Sequence, residues 1–215
     1  MPVTVLITGF GPFPGAPFNP TEGLVRRLGA RRRPALAEVE RITHVFRTSY
    51  AAVDDDLPRL VARHRPAVLL MFGLAARSPH LRIETRARNA VSALVPDARG
   101  QMLRRTGIAA GAAPTLTGRA PFQRLLRATR VARVPARLSR DAGAYLCNYV
   151  YWHGLTAASR QRPVPIVAFV HVPAVGRLAR RRAKRAPTPN DLARAGEAIL
   201  LALLAAARTL TLSKH

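Results

Sequence analysis

Short apolar segments that alternate with helix-like segments are the feature of this sequence that most constrains its fold. Residues 3–8, 67–72 and 164–170 are almost wholly apolar, and a glycine follows each of the first two. Apolar runs of this length are typical of strands buried on both faces of a sheet. Helical spacing lies between them, beginning near Thr21 and Ser49 and returning at residues 121–130, 142–158 and 190 onward. The alternation predicts a three-layer α/β/α sandwich with a mostly parallel, mixed central sheet.

The remaining segments complete one expected domain over residues 1–215. Weaker strand patterns lie at residues 37–44, 80–89 and 136–138, and Thr21 is expected to cap the first helix. Residues 99–119, rich in Gly, Ala, Thr and Arg, are expected to form a loop or mobile hairpin. No internal repeat or domain linker is visible, and a chain of 215 residues is long enough to bury its own core.

Cysteine usage and apolar run lengths indicate the compartment of the protein. The single cysteine, Cys147, excludes an intrachain disulfide, which fits a reducing cytoplasm. The N-terminus has no basic region ahead of a long apolar run, so no signal peptide is expected. The late apolar run at residues 198–207 is much shorter than the roughly 20 residues of a membrane span. We therefore expect a cytoplasmic protein that binds no membrane.

The net charge of the chain is strongly positive. Lys and Arg number 35 against 11 Asp and Glu, which gives a formal net charge of +24. Such a balance is typical either of a nucleic-acid-binding protein or of a chain that uses arginine on its solvated faces. The arginines are scattered apart from one cluster at residues 177–185, and no zinc-finger, RNA-recognition or helix-turn-helix signature accompanies them. Nucleic acid is therefore expected to bind nonspecifically at most.

Three polar residues stand where an α/β sheet places its chemistry. His171 ends the late apolar run, Glu84 follows the turn after the central run, and Cys147 lies near the start of a predicted helix. A thiol at a helix N-terminus beside an imidazole becomes a reactive thiolate, and a carboxylate on the far imidazole nitrogen fixes the ring. From the pattern alone, Cys147 is more typical of a buried core thiol than of a nucleophile, and His171 is typical of a satisfied strand-end histidine. Glu84 could equally pair with Arg82 or Arg86.

Four blocks of sequence, in a fixed order along the chain, carry a family resemblance. They are VLITGFGPFPG at residues 5–15 with FNPT at 18–21, GLA at 73–75 with Glu84 and Asn89, SRDAGAYLCN at 139–148, and FVHVP at 169–173. In this order and spacing they resemble pyroglutamyl peptidase I, the pyrrolidone-carboxylate peptidase family of cysteine exopeptidases. The block around Cys147 is the most specific, and the resemblance runs from about residue 3 to the last helix.

The resemblance implies a reaction and a set of site residues. Cys147 would be the nucleophile, His171 the general base and then acid, and Glu84 the residue that orients the imidazole. The substrates would be pyroglutamyl peptides, cleaved after the N-terminal pyroglutamate through a thioester, with no cofactor and no metal. Family members often form dimers or tetramers, so a homo-oligomer is expected. The positions that resemble the family's substrate pocket and its supporting loop are Phe10, Phe13, Asn19, Val95, Tyr145 and Leu146.

The chain departs from the family pattern at three positions. Thr85 and Leu94 stand where the family usually has arginine, and Leu74 stands where many members have glutamine.

The sequence leaves three hypotheses for the function: a pyroglutamyl peptidase, a divergent paralogue with weak or altered amide or lactam specificity, and a basic nucleic-acid-binding protein on the same fold. Without the family resemblance, Phe10 and Phe13 would be expected to pack in the core.

Overall fold

The computed structural model describes residues 3–13, 15–176 and 187–212, with side chains to residue 210. The strands are β1 (Val3–Phe10), β2 (Val39–Phe46), β3 (Val68–Leu74), β4 (Leu81–Glu84), β5 (Arg86–Arg88), β6 (Thr115–Thr117), β7 (Ala136–Ser139) and β8 (Ile166–Val172). The helices are α1 (Pro20–Ala30), α2 (Tyr50–His64), α3 (Phe122–Val131), α4 (Leu146–Ser159) and α5 (Pro189–Leu212), with a short 3-10 turn at Pro34–Leu36.

Six strands form the central sheet in the order β2-β1-β3-β8-β4-β7. Strands β2, β1, β3 and β8 run parallel to one another, whereas β4 runs antiparallel to β8 and β7 runs parallel to β4. The sheet is mostly parallel and mixed, which confirms the predicted fold class. The central strands β1 and β3 are buried along most of their length, because other strands flank them and helices cover both of their faces.

Alternate side chains of the strands enter two separate cores. On one face, Val5 and Ile7 pack in a cluster with residues of α1, α3 and α5. On the other face, Leu6 and Phe10 pack in a cluster with residues of α2 and α4. The predicted three-layer arrangement is therefore confirmed, and β8 and β4 present polar side chains to the layer of α2 and α4.

Local predictions differ from the structure in two places. Asn19, not Thr21, caps α1, because its side chain accepts the Thr21 backbone N–H at 3.1 Å and Pro20 suits the first helical position. The single strand expected at residues 80–89 is two strands, since β4 lies in the central sheet and β5 pairs antiparallel with β6. Strand β6 falls inside the region expected to be a loop or hairpin, and its pairing makes part of that region a hairpin-like sheet.

Helix α5 contains the late apolar run considered as a membrane span, and residues 177–185 contain the arginine cluster considered for nucleic acid. Among the described residues, no helix, α5 included, is both long enough and apolar enough to cross a membrane. The dense arginine cluster at residues 177–185 lies outside the described residues.

Candidate active site

Glu84 and His171 form a buried, hydrogen-bonded pair on the α4 side of the sheet. Strands β4 and β8 are antiparallel neighbours, and Glu84 lies opposite Phe169, two residues before His171. His171 Nδ1 and Glu84 Oε1 are 2.8 Å apart, and their side chains are 7% and 0% exposed. We assign a proton to Nδ1, because an ionised carboxylate only accepts hydrogen bonds. The bond fixes the imidazole and leaves Nε2 for another partner.

Cys147 is the second residue of α4, and its thiol lies close enough to His171 to raise the pKa of the imidazole. The thiol residue is half-buried. Tyr145, the residue that precedes the helix, makes no side-chain capping bond to it. The first backbone N–H groups of a helix have no partner within the helix, and together with the helix dipole they favour a negative charge. The start of α4 therefore offers backbone N–H donors to an anion that forms beside Cys147.

The charges around His171 favour its protonated form. Burial alone lowers the pKa of the imidazole, because the charged ring loses its hydration. The thiolate of Cys147 and the carboxylate of Glu84 outweigh burial and raise the pKa of His171 to about 9. Near neutral pH the imidazole is therefore protonated, and it lies between the Cys147 thiol and the Glu84 carboxylate. Among the described residues, no group of three His, Cys, Asp or Glu side chains could hold a metal ion.

Gly73 leaves the space that the thiol occupies. It lies in β3 directly opposite His171 of β8. A Cβ atom at this position would lie 2.6 Å from Cys147 Sγ and 2.7 Å from Phe169 Cζ. Both distances are far below ordinary van der Waals contact. Any larger residue would have to displace the thiol or the Phe169 ring.

Arg82 is a second partner of Glu84. Its Nε lies 3.1 Å from Glu84 Oε1, and its side chain is 22% exposed. Its Nη2 donates to Ser139 Oγ at 2.9 Å and also to the backbone carbonyl of Asp141. The two residues share a face of β4 because they are two positions apart. The ion pair that the sequence left open is therefore formed with Arg82, alongside the bond to His171 and not in place of it.

Asn19 supports the loop that follows β1. Its Nδ2 donates to the Gly11 carbonyl at 3.1 Å, and its Oδ1 accepts from the Thr21 N–H and hydroxyl at 3.1 and 2.9 Å. These are the side-chain-to-backbone bonds that an Asn-Pro turn favours. The Asn19 side chain is buried, so it holds the loop from within.

The other predicted pocket residues differ in how much surface they present. Phe10 and Leu146 are 3% and 1% exposed and belong to the core between the sheet and helices α2 and α4. Phe13 is partly buried in the loop that Asn19 supports, and Val95 is 45% exposed. Phe13 and Val95 therefore have surface available for a ligand, whereas Phe10 and Leu146 back the site from the core.

Tyr145 joins the segment that contains Val95 to the start of α4. Its hydroxyl donates to the Pro96 carbonyl at 3.0 Å. Burial raises the pKa of Tyr145 to about 12, with smaller contributions from the charges of Asp97 and Cys147. The phenol therefore stays protonated near neutral pH and keeps this bond. The bond holds the Val95 segment beside the residue that carries the thiol.

The three departures from the family pattern lie in different surroundings. Thr85 Oγ1 donates to a backbone carbonyl at the end of β7 at 3.0 Å, and Leu94 is 88% exposed. Leu74 is partly buried at the end of β3. The neighbouring arginines are both engaged: Arg86 donates to a carbonyl in the segment before α4 at 2.8 Å, and Arg88 pairs with a carboxylate there at 3.3 Å.

The sequence patterns placed Gly73 and Asn148 only within matched blocks and Arg82 only as an alternative ion-pair partner of Glu84, and assigned none of them a function in the site. Asn148 accepts the Arg88 N–H at 2.8 Å and donates to the carbonyls of Arg88 and Ala90 at 2.8 and 2.9 Å, which fixes α4 against β5. The spacing of Arg82 and Glu84 on a strand could have predicted their shared face. No local signal predicts the partners of Asn148, because they lie 58 and 60 residues away in the chain.

Comparison with known proteins shows which family this sequence resembles along its length. The family model described as pyroglutamyl peptidase matches residues 3–209. A pyrrolidone-carboxylate peptidase from Cupriavidus necator is 32% identical over 209 residues, covering 96% of this chain and 92% of its own. One from Thermococcus onnurineus is 32% identical over 172 residues, covering 79% and 82% of the two chains.

Solved structures resemble this chain over nearly its full length. The crystal structure of Bacillus amyloliquefaciens pyroglutamyl peptidase I has a TM-score of 0.80 at 26% identity and covers 94% of this chain and 97% of its own. A mutant pyrrolidone carboxyl peptidase from Pyrococcus furiosus has a TM-score of 0.86 at 23% identity, covers 95% and 100%, and shows the shared fold. The chain therefore belongs to the pyroglutamyl peptidase family, cysteine peptidases that hydrolyse N-terminal pyroglutamyl residues from peptides.

Proposed function

We propose that this chain removes N-terminal pyroglutamate from peptides with Cys147 as nucleophile, His171 as general base and acid, and Glu84 as the residue that orients His171. The observation that carries the proposal is the buried contact of 2.8 Å between His171 Nδ1 and Glu84 Oε1, with the Cys147 thiol close enough to raise the pKa of the same imidazole. A nucleophile, a base and an orienting acid in hydrogen-bonded sequence are what amide hydrolysis by a thiol requires.

Acylation starts from the thiolate and imidazolium pair. Cys147 Sγ attacks the carbonyl carbon that joins pyroglutamate to the next residue, and the carbonyl electron pair moves onto its oxygen. When this pair returns, the C–N bond breaks, and His171 Nε2–H gives its proton to the departing amine. Glu84 keeps Nδ1 bonded throughout, so the ring holds one orientation. The products of this half-reaction are a pyroglutamyl thioester and a peptide with a free N-terminus.

The oxyanion formed in this attack requires hydrogen-bond donors. We assign this role to backbone N–H groups at the start of α4, including that of Cys147, because Tyr145 contributes no side-chain cap there. Donors fixed in a partly buried site stabilise the developing charge without reorganising at the moment of reaction.

Deacylation reverses the proton transfers. His171, now neutral, takes a proton from a water molecule through Nε2 while the water oxygen attacks the thioester carbon. The C–S bond breaks, Cys147 leaves as the thiolate, and pyroglutamate is released. The thiolate and imidazolium pair is thereby restored for the next turnover.

The pyroglutamyl ring is a small neutral lactam and needs an apolar slot with a few polar anchors. Asn19 is assigned the support of this slot, because it holds the loop after β1 from within. Of the lining residues, those with exposed surface would contact the ring and those in the core would set the depth of the slot. The proposed lining residues are Phe10, Phe13, Val95, Tyr145 and Leu146.

By resemblance, we also propose that residues 1–215 form one domain that assembles as a dimer or tetramer. Copies that each carry a formal charge of +24 repel one another most strongly at low salt. Light scattering coupled to gel filtration tests the assembly at about 0.15 M salt, where charges are screened beyond about 8 Å.

Release of a chromogenic amine from a pyroglutamyl amide tests the reaction. Cys147→Ala is expected to lower kcat by at least about 10³-fold, because the covalent route is lost. A prolyl amide with the same leaving group serves as the substrate control, since it has the ring but lacks the lactam carbonyl. Thermal unfolding of both proteins checks that Cys147→Ala folds.

Two results would contradict the proposal. Turnover that persists in Cys147→Ala would remove the nucleophile assignment. Cleavage of the prolyl amide as fast as the pyroglutamyl amide would remove the substrate assignment. Thr85 and Leu94 stand where the family resemblance implies arginine, and this favours one second candidate, a peptidase of altered amide or lactam specificity. That candidate predicts slow pyroglutamyl release by a thiol that alkylating reagents still modify readily.

A further inference from the structure

We propose that Arg82 is a positioning residue of this site: its guanidinium balances the buried Glu84 carboxylate and so sets the pH range over which the Cys147 thiolate forms. The inference rests on the proposed function for its catalytic meaning, because Arg82 acts through Glu84 and does not itself contact the substrate. It concerns a position for which the sequence patterns predicted no catalytic role.

The register of the sheet places Arg82 beside the reacting groups. Arg82 lies directly opposite His171 in the antiparallel ladder of β4 and β8. Its Nε is 3.1 Å from Glu84 Oε1, the same oxygen that His171 Nδ1 contacts at 2.8 Å. One carboxylate oxygen therefore faces two cationic groups when His171 is protonated.

Glu84 needs a compensating charge because it is fully buried. Its side chain is 0% exposed, and its Oε2 has no hydrogen-bond partner among the described residues. A buried carboxylate with so few hydrogen bonds is costly unless a cation lies close to it. The contact with Arg82 is an ion pair without an aligned hydrogen bond from Nε, so its contribution is mainly electrostatic.

With Arg82 present, the four charges of the active form cancel. The Cys147 thiolate and the Glu84 carboxylate carry two negative charges, and His171 and Arg82 carry two positive charges. Without Arg82, formation of the thiolate would leave the site with a net negative charge in a partly buried space. The thiol would then hold its proton to a higher pH.

Arg82 also ties β4 to the segment that leads to the nucleophile. Its Nη2 bonds to Ser139 Oγ at 2.9 Å and to the Asp141 carbonyl. Ser139 ends β7, and α4 with its thiol begins at Leu146. The guanidinium thus contacts the Glu84 carboxylate with one nitrogen and the segment that precedes α4 with another. A lysine ammonium cannot make both contacts from one position.

The sign of the effect follows from the charge removed. Loss of a nearby cation makes proton release harder for every neighbouring group, so both limbs of the bell-shaped pH profile move to higher pH. The two contacts through Glu84 Oε1, 3.1 and 2.8 Å, join the guanidinium to His171 Nδ1. For a charge lost at this range from a side chain partly open to solvent, the expected shift is about one pH unit.

Several ionisable groups face the Glu84 and His171 pair and its arginine. They are Cys147 and Tyr151 from α4, Arg137 from β7, His80 before β4 and Asp141 before α4. Burial raises the pKa of Tyr151 well above the range of the assay, and burial followed by the charges of Arg137 and Arg82 lowers that of His80. Alkylation of the Cys147 thiol is therefore measured beside the pH profile of kcat, because alkylation follows one group and not its ionisable neighbours.

Three variants separate charge from shape. Arg82→Met removes the charge and keeps the length of the side chain, and Arg82→Lys keeps the charge and loses the fork. The matched control is Arg137→Met, because Arg137 is the register neighbour of Arg82 on β7 but is exposed to solvent. The readouts are kcat and KM against pH, and the rate of alkylation by iodoacetamide against pH. Since Cys147 is the only cysteine, alkylation reports a single thiol.

We expect Arg82→Met to move the acid limb and the alkylation midpoint upward by about one pH unit, which is about tenfold in rate on that limb, with KM little changed. Arg82→Lys should recover more than half of this shift, and Arg137→Met should show less than half of it. A fall in kcat with unmoved limbs would reduce Arg82 to a structural role and overturn the proposal. A basic limb that moves downward would overturn it as well, because that is the sign expected when Glu84 is lost from His171.

The alkylation measurement keeps this inference separate from the proposed function. If no pyroglutamyl amide is cleaved but the alkylation midpoint still shifts in Arg82→Met, the proposed function fails and the role of Arg82 stands. If the wild-type chain cleaves the amide and the midpoint does not shift, the proposed function stands and the role of Arg82 fails.

Discussion

Replacing Gly73 by alanine tests whether the geometry of the thiol determines activity. The added Cβ would lie 2.6 Å from Cys147 Sγ, whereas ordinary contacts begin near 3.4 Å. The thiol must therefore move by about 1 Å, and a misplacement of this size costs on the order of 10²-fold in rate. The backbone at Gly73 needs no positive φ, so space alone decides the outcome.

The side chains around Gly73 have little room to move away from an added Cβ atom. The same Cβ would lie 2.7 Å from Phe169 Cζ, and Phe169 is 0% exposed, with its ring against those of Tyr151 and His171 at 5.5 and 5.0 Å between centroids. A shift of Phe169 would therefore disturb His171 as well. Overpacking of this kind costs about 1–3 kcal/mol. For a chain of this size, each kcal/mol lowers Tm by roughly 2–4 °C.

The assay is kcat on a pyroglutamyl amide together with thermal unfolding. Gly23→Ala is the matched control, because Gly23 is exposed within α1 and a Cβ there meets nothing within 4 Å. It should leave activity unchanged and stabilise the protein by about 0.5–1 kcal/mol through helix propensity. If Gly73→Ala turned over within about threefold of the wild type, the site would tolerate a displaced thiol and the reasoning from geometry would be refuted.

Two further substitutions probe the parts that hold the site together. Glu84→Gln removes one of the charges that raise the pKa of His171 to about 9, so the imidazolium loses its proton at a lower pH. The basic limb of the pH profile of kcat should therefore move to lower pH, and an unmoved limb would mean that Glu84 does not act on His171. Asn19→Ala removes the cap of α1 and the bond to the Gly11 carbonyl, and should lower the free energy of unfolding by about 1–2 kcal/mol and raise KM more than it lowers kcat. A change in kcat alone would mean that Asn19 takes part in the chemical step and does not merely support the loop.

The sequence predicted the layers of the fold because strands that are buried on both faces are visible as short apolar runs. The runs that became β1, β3 and β8 are apolar on both faces, which only strands between two helical layers require. The short strands β5 and β6 have no such apolar run, since they are largely polar and pair with each other in a separate two-stranded sheet. The cap of α1 was misplaced by two residues because Asn19 and Thr21 are both good capping residues, and the proline between them decided which one is used.

By itself, the sequence determined the alternating sheet and helices and, through its four matched blocks, the identities of the residues proposed for catalysis. It could not determine which partners Glu84 takes, because Arg82 is a neighbour in the chain while His171 is 87 residues away. Antiparallel pairing of β4 with β8 decided that both contact the same oxygen. It was likewise the tertiary structure that placed Gly73 against the thiol, since the steric need for a glycine arises only where β3 passes beneath the start of α4.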